Sequence, residues 1–396
     1  MCESERTTLE WLFLLAFAMV LVTPLVVMLK HAKQSSSIDE LGGVELAAAL
    51  PTLTTQGALD GTFQSAFDRW FAKHLGIRKA LIRADNQLNY SLFSLTATGT
   101  VLGKDNFLFE PNYIEEFNNM RPMSDLQLQT FVEKLSRLRS LLRARSVHFL
   151  VMLTPSKAAM YSEHIPERLL VSPTRADTYD RFTKLVRAQS LPLFDTVPLV
   201  RRLKAESPYP VFPPGGAHWS KYVSCKAGEA FTDQLQALLG REVPKLRCDP
   251  PLIKTKASGV DRDLAQLANL WRRNSFDVPL PSPRVRVESA KDAYRAKLLF
   301  IGDSFLWSFF EALERKLAYA SRDFFYYYKS HDRFRARRRA LPKVPIDRAA
   351  IDWSHILSRD AIVLEMNEFN IRDVGYGFVD DALQHLESGT VHSGAR

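Results

Sequence analysis

The sequence predicts an α/β layered domain with a mainly parallel sheet, preceded by one N-terminal transmembrane helix. Three observations carry this. Short apolar runs alternate with helical segments from Val147 onward, the pattern of a parallel sheet covered on both faces. One run, Val147 to Leu153, is apolar apart from His148 and ends at Thr154-Pro155, as a strand buried on both faces should. Near the start, Trp11 to Leu29 carries no charge and as a helix spans roughly 28 Å, close to the hydrocarbon thickness of a bilayer. With 396 residues and 46% hydrophobic content the chain is neither disordered, collagen-like nor low-complexity.

In order along the chain, residues 1–10 form a leader that carries Glu3, Glu5 and Glu10 against Arg6. A cleaved signal peptide has a cationic start and a shorter apolar run, so 11–29 reads as a retained anchor and the leader as cytoplasmic. Pro24 is tolerable inside a membrane helix. Residues 30–60, rich in Ser, Gly and Thr, read as a tether. A domain is expected over 61–390 and a tail over 391–396. Phe63, Phe67, Trp70 and Phe71 mark a helix opening at Thr62. The clearest helix opens at Ser124, with Gln127 as capping-box partner and Leu128, Phe131, Val132, Leu135, Leu138 and Leu142 on one face. Further strands are expected at Leu191–Phe194, Lys297–Ile301, Phe324–Tyr328 and Ala361–Met366.

The net charge of +9 invites a nucleic-acid reading. A single span excludes it if the soluble part is extracytoplasmic. Cys225 and Cys248 bear on that side: either they form a disulfide, which persists in an oxidising compartment, or they are two buried thiols. The basic run from Arg333 and Arg335 to Arg339 is the chief source of positive charge. It reads as a solvated or membrane-proximal face, or as a surface that attracts an anionic polymer.

The most informative segment runs from Leu298 through Gly302-Asp303-Ser304, an apolar strand entering a tight turn and then a helix with Leu306, Phe309, Phe310 and Leu313 on its apolar side. Ser304 there is either a nucleophile at a strand end, with helix N–H groups available to an oxyanion, or a helix N-cap beside Asp303. A serine nucleophile needs a base. Of nine histidines, His218 stands in a turn-rich loop, Pro213-Pro214-Gly215-Gly216-Ala217-His218-Trp219, that leads to Ser220 as the N-cap of an amphipathic helix. Trp219 is a candidate to pack on a sugar ring or in the core. Asn367 and Asn370 follow the last strand and read as oxyanion donors or as caps. Metal and nucleotide motifs are missing, so no cofactor is expected.

The order of these blocks resembles the alginate O-acetyltransferase family, bacterial periplasmic proteins with an SGNH-hydrolase-like domain. Gly103-Lys104-Asp105-Asn106-Phe107-Leu108-Phe109, Thr154-Pro155-Ser156-Lys157 through Tyr161, the pair His218-Trp219 and Gly302-Asp303-Ser304-Phe305 carry the resemblance, over roughly residues 60 to 375. It implies acetyl transfer to hydroxyls of a secreted polysaccharide through an acetyl-serine on Ser304, with His218 as base. It implies a membrane-bound O-acyltransferase as acetyl donor, and a single-pass protein of the inner membrane with its soluble domain in the periplasm. The family aspartate two residues before the histidine corresponds to Gly216. Another carboxylate therefore orients His218, with Asp195, Asp261 and Asp263 as candidates, or a Ser-His dyad acts alone, or the chain is inactive. A carbohydrate esterase and a non-catalytic polysaccharide-binding or scaffold subunit are the alternatives.

Overall fold

The computed structural model describes residues 3–31, 41–43, 49–75, 77–96, 99–171, 177–272, 275–314, 318–335 and 343–391. The chain divides into two compact units, Met1–Thr98 with Ala265–Arg273, and Gly99–Leu264 with Asn274–Arg396. The sheet-bearing unit thus begins at Gly99, downstream of the boundary at 61 that the sequence suggests.

The first unit is helical: α1 (Glu3–His31), α2 (Thr55–Asp60), α3 (Thr62–His74) and α4 (Arg78–Phe93). Trp11, Leu12, Phe13 and Leu21 of α1 are 60–70% exposed. Described side chains of α1 run unbroken only from Glu10 to Pro24, short of the ~20 residues a bilayer core requires. Among the described residues no helix is long and apolar enough to cross a membrane. The expected tether, whose residues 32–40 and 44–48 lie outside those described, is not structureless throughout, because it contains α2. The Thr54 hydroxyl accepts the Gly57 N–H at 3.1 Å to start that helix, and Gly61 at φ 79° ends it in a conformation that suits glycine.

In the second unit, helices α5 (Asp125–Arg143), α6 (Thr178–Ala188), α7 (Lys221–Leu239), α8 (Phe305–Glu314) and α9 (Phe378–Val391) cover a seven-stranded sheet. Its strands are β1 (His148–Thr154), β2 (Leu193–Asp195), β3 (Lys297–Gly302), β4 (Ser321–Tyr326), β5 (Ser330–Arg335), β6 (Val344–Pro345) and β7 (Ala361–Asn367). Their order is β6-β5-β4-β3-β7-β1-β2. The five strands from β4 to β2 are parallel, whereas β5 and β6 are antiparallel, so the sheet is mixed. The reason is local. Tyr327 and Tyr328 take left-handed conformations, φ 48° and 54°, in a turn too short for a parallel crossover, so the chain folds back on β4.

Every residue of β7 is buried, which is why its sequence shows no alternation. Helix α5 packs against both α6 and α9 over one face, with Phe131 stacked on Phe182 at 5.6 Å. On the other face α7 and α8 pack together, and Phe231 meets Phe300 at 5.7 Å and Phe309 at 5.3 Å. A two-stranded hairpin, Lys245–Lys254 with Leu280–Glu288, packs beside α7 and is tied to it by the Cys225–Cys248 disulfide. The hairpin escaped prediction because its strands are rich in charge and proline, with a register shift between Asp249 and Leu252 where the prolines fall. The helix at Ser124 has the expected capping box, with the Gln127 backbone N–H donated to the serine hydroxyl at 3.1 Å and the serine N–H to the Gln127 side-chain Oε1 at 2.8 Å.

Candidate active site

The C-terminal end of β3 delivers the chain to Gly302, where a Cβ would lie 2.5 Å from the Glu365 carboxyl and 2.8 Å from Leu306. Only glycine passes there, and the turn that follows exposes the next residues. Asp303 is buried and saturated with donors. Its Oδ1 accepts the Phe305 N–H at 2.9 Å, while Oδ2 accepts the Asn370 amide at 2.6 Å and the Asn367 N–H at 3.2 Å. Because Asp303 caps α8, the Ser304 hydroxyl is left for other work. It lies 2.7 Å from His218 Nε2.

His218 comes from the loop before α7, whose N-cap is Ser220, with the Val223 N–H donated to its hydroxyl at 3.3 Å. Its Nδ1 is in short contact with Asp263 Oδ2. A carboxylate at Nδ1 fixes the tautomer, so the proton sits on Nδ1 and Nε2 faces the serine as acceptor. Asp263 is itself fixed, since its Oδ1 accepts the Ala217 N–H at 2.7 Å and the Leu264 N–H at 2.8 Å. The missing family aspartate is therefore replaced from the other direction in sequence. At Gly216 a Cβ would lie 2.7 Å from the Val260 carbonyl oxygen and 3.2 Å from the Asp261 carbonyl carbon. The segment that brings in Asp263 occupies the space a side chain at 216 would need.

The motif blocks that flank the pair act as scaffolding. Lys157 is buried, and its ammonium donates to the carbonyls of Pro213, Pro214 and Gly216 at 2.7–2.8 Å. It also stands 5.1 Å from the Phe107 ring centre and 5.5 Å from that of Phe109. The Leu108 N–H binds the Pro214 carbonyl at 2.9 Å. Together these contacts freeze the loop that carries His218. Burial pushes the lysine pKa well down, against which Asp263 and Glu110 pull upward.

Burial also opposes a charge on His218, but the hydrogen bond and charge of Asp263, with the charges of Asp303 and Glu110, prevail and raise its pKa above the ordinary imidazole value. Burial raises Asp303 and pushes Glu365 far up, where the charge of Asp303 adds to it. Glu365 accepts the Thr154 hydroxyl at 2.7 Å and the Asp303 N–H at 2.9 Å. Three further residues border the pair and were not singled out from sequence. Glu110, raised by burial, interacts electrostatically with His218, while Tyr326 pairs with Gly302 in the β3–β4 register and the Tyr327 N–H donates to the Gly302 carbonyl at 2.7 Å. The run Phe324 to Tyr328 advertised a strand, and nothing in it marked which tyrosines come level with the turn before the serine.

Other sequence candidates lie elsewhere or do other work. Asp195 binds the Tyr179 hydroxyl and Arg187, both at 2.9 Å, and caps its own turn through the Val197 N–H at 3.1 Å, away from His218. Asp261 accepts the Lys221 N–H at 3.1 Å and so helps start α7. Burial pushes its pKa up to about 6. Asn367 is a cap, not an oxyanion donor: its amide donates to the Pro155 carbonyl at 2.9 Å and its oxygen accepts the Phe369 N–H at 3.1 Å. Asn370 is spent on Asp303. Trp219 is fully buried, donates to the Ser308 hydroxyl at 2.9 Å and packs on Phe305, so no sugar can stack on it. Arg333 and Arg335 pair with Asp323 and Ser321, whereas the serine end of the sheet is the row of Gly302, Tyr326 and Ser330. Arg335 thus lies five residues down its strand, roughly 16 Å from that row. The rest of the basic run, 336–342, lies outside the described residues. Among the described residues no cluster of His, Cys, Asp or Glu is arranged to hold a metal.

A serine, an imidazole and a carboxylate hydrogen-bonded in series at the carboxyl edge of parallel strands mark the SGNH-hydrolase-like class. The chain belongs to the family described as "SGNH hydrolase-like domain, acetyltransferase AlgX", whose model matches residues 100–319 and so takes in all three side chains. It is 28% identical over 184 residues to the "Probable alginate O-acetylase AlgJ" of Pseudomonas aeruginosa, covering 46% of this chain and 44% of that protein. It is 25% identical over 201 residues to the Pseudomonas fluorescens protein of the same description, covering 50% and 48%. The chain thus matches less than half the length of either relative. Among solved structures it is similar to the "O-Acetyltransferase Domain of Pseudomonas putida AlgJ", with 17% identity, a TM-score of 0.45, and coverage of 69% of this chain and 92% of that one.

Proposed function

We propose that this protein transfers acetyl groups to hydroxyls of a secreted polysaccharide through an acetyl-serine on Ser304. The observation that carries the reading is the continuous series from Ser304 Oγ through His218 to Asp263, with the serine hydroxyl 2.7 Å from Nε2. Ser304 Oγ attacks the acetyl carbonyl as its proton passes to Nε2. The leaving group departs with that proton, and the acetyl remains on the serine. A sugar hydroxyl then gives its proton to the same nitrogen, attacks the acetyl carbon and releases Ser304. Asp263 favours the imidazolium formed in each half-reaction. The relatives' description as alginate O-acetylases supports a polysaccharide as acceptor.

In this reading the protein is held at the bacterial inner membrane with its second unit in the periplasm, and a membrane-bound O-acyltransferase supplies the acetyl group. The uncharged run from Trp11 to Leu29, with described side chains as exposed as Phe13 at 70%, supports an anchor. The Cys225–Cys248 disulfide supports an oxidising compartment.

The test is polymer acetylation in cells that carry Ser304→Ala, with folding verified on the purified chain. Acetylation is expected to vanish, and the wild-type chain treated with a small acetyl ester is expected to gain one acetyl group on Ser304. Undiminished acetylation in the variant overturns the reading. Hydrolysis of the ester with no transfer when acceptor sugar is supplied reassigns the protein as an esterase.

A further inference from the structure

We propose that a cavity beside the first turn of α5 is an effector site for a small amphipathic carboxylate, whose binding steadies the turn that presents Ser304. The cavity holds about 570 Å³, the size of a ligand site. Pro122, Met123, Leu126, Phe131 and Val374 give it an apolar wall, on which Leu126 is 73% exposed. The charge on the wall selects the other end of the ligand. Arg121, Lys134 and Arg372 line the cavity against one carboxylate, Asp380. Lys134 binds Asp380 at 2.7 Å and Arg121 binds Glu115 at 3.0 Å. Arg372 spends Nη2 on Glu116 and the Arg121 carbonyl, and among the described residues its Nη1 has no partner. The positive end of the α5 dipole lies here too, since Leu126 and Gln127 belong to its first turn, while Asp125 turns to Arg181 at 3.0 Å. A carboxylate gains from the guanidinium and from the helix end; an uncharged head gains far less.

The backbone of the same wall is strained. Val374, Gly375, Tyr376 and Gly377 are all left-handed, at φ 42°, 75°, 61° and 85°, and for a β-branched residue such as Val374 that conformation is costly. The run is also tightly packed, because a Cβ at Gly375 would lie 2.7 Å from Val379. Val374 lines the cavity, and two residues further on the Tyr376 hydroxyl donates to Asp303 Oδ2 at 3.4 Å. Asp303 in turn accepts the Phe305 N–H at 2.9 Å, which fixes the start of α8 around Ser304. A ligand packed against Val374 favours the strained run, and with it the grip of Tyr376 on Asp303. Neither step requires Ser304 to be acylated.

Calorimetric titration of the full chain with octanoate, and with octan-1-ol as the uncharged body, tests the site. Octanoate is expected to bind at least about fivefold tighter than the alcohol. Thr130 is an exposed residue of the cavity wall, and Thr130→Trp, which fills the space, is expected to abolish octanoate binding. Under saturating octanoate, amide hydrogen exchange is expected to slow over residues 372–379 and also over 303–306. Absent binding, equal binding of the alcohol, binding that Thr130→Trp leaves intact, or protection confined to 372–379 overturns the proposal. Acetylation by Ser304→Ala cells sinks the acetyltransferase reading and leaves each of these measurements decisive, so the two failures are distinguishable.

Discussion

Asp263 is gripped by two backbone N–H groups on the oxygen that does not face His218, so its carboxylate is locked before substrate arrives. Its removal should be felt in rate and in pH dependence alike. His218 must be neutral to accept the serine proton, and its pKa is raised, so activity falls as pH drops through a value above that of an ordinary imidazole. In Asp263→Asn the charge that raises it is gone. The acid limb of kcat/KM should then move to lower pH, and kcat should fall roughly 10³-fold because the amide no longer enforces the tautomer. A pH–rate profile checks both, and an unmoved acid limb would show that Asp263 does not govern the imidazole. Sequence reasoning reached Ser304 and His218 by their contexts, a strand-to-helix turn and a loop entering a helix. For the acid it had three aspartates of equal standing. What separates Asp263 from Asp195 and Asp261 is only whom each binds, and that is not written in local sequence.

At the scale of elements, the loop of residues 211–220 and the turn Gly259–Arg262 behave as interlocking pieces. The glycine at 216 allows the turn to approach, and the turn brings the aspartate. Putting back the family residue with Gly216→Asp should therefore lower activity, because its Cβ would press on the Val260 carbonyl and dislodge the segment that holds Asp263. Acetyl ester hydrolysis by the purified variant, expected at least about tenfold below wild type, checks this. Equal or higher activity would mean that the turn yields and that the position tolerates an acid. The Lys157 clamp belongs to the same scale. Loss of the lysine would take one donor from each of three carbonyls, of which Pro213 and Pro214 keep the N–H groups of Gly216 and Leu108, so the cost falls chiefly on the Gly216 carbonyl, at about 1–3 kcal/mol. The motif around Lys157 was legible as a resemblance, but its purpose, holding a loop some 56–59 residues away, was not.

For the molecule as a whole, several carboxyls are buried at the carboxyl edge of the sheet, and one of them sets a pH limit on stability. Glu368 is held by the Ser156 N–H at 3.0 Å, yet burial, with Asp177 nearby, pushes its pKa up to about 8. The folded state thus keeps a proton that the unfolded chain releases near pH 4.5, so this contribution is full below that pH and is lost as pH rises through about 8. The loss is on the order of 4 kcal/mol. Glu368→Gln should flatten the decline between pH 5 and 9 and leave the variant more stable than wild type at the alkaline end, as denaturant midpoints at both pH values will show. Equal slopes in the two proteins would refute it. By itself the sequence determined the parallel strands, the capped helix at Ser124 and the two residues at the ends of the nucleophile–base pair, because burial on both faces, capping and turn chemistry act over a few neighbouring residues. Only the tertiary structure decided the reversal after Tyr326, the burial of Trp219, the remoteness of Arg335 and the choice of Asp263. Each depends on contacts between segments distant along the chain, where space and charge are settled by what else arrives.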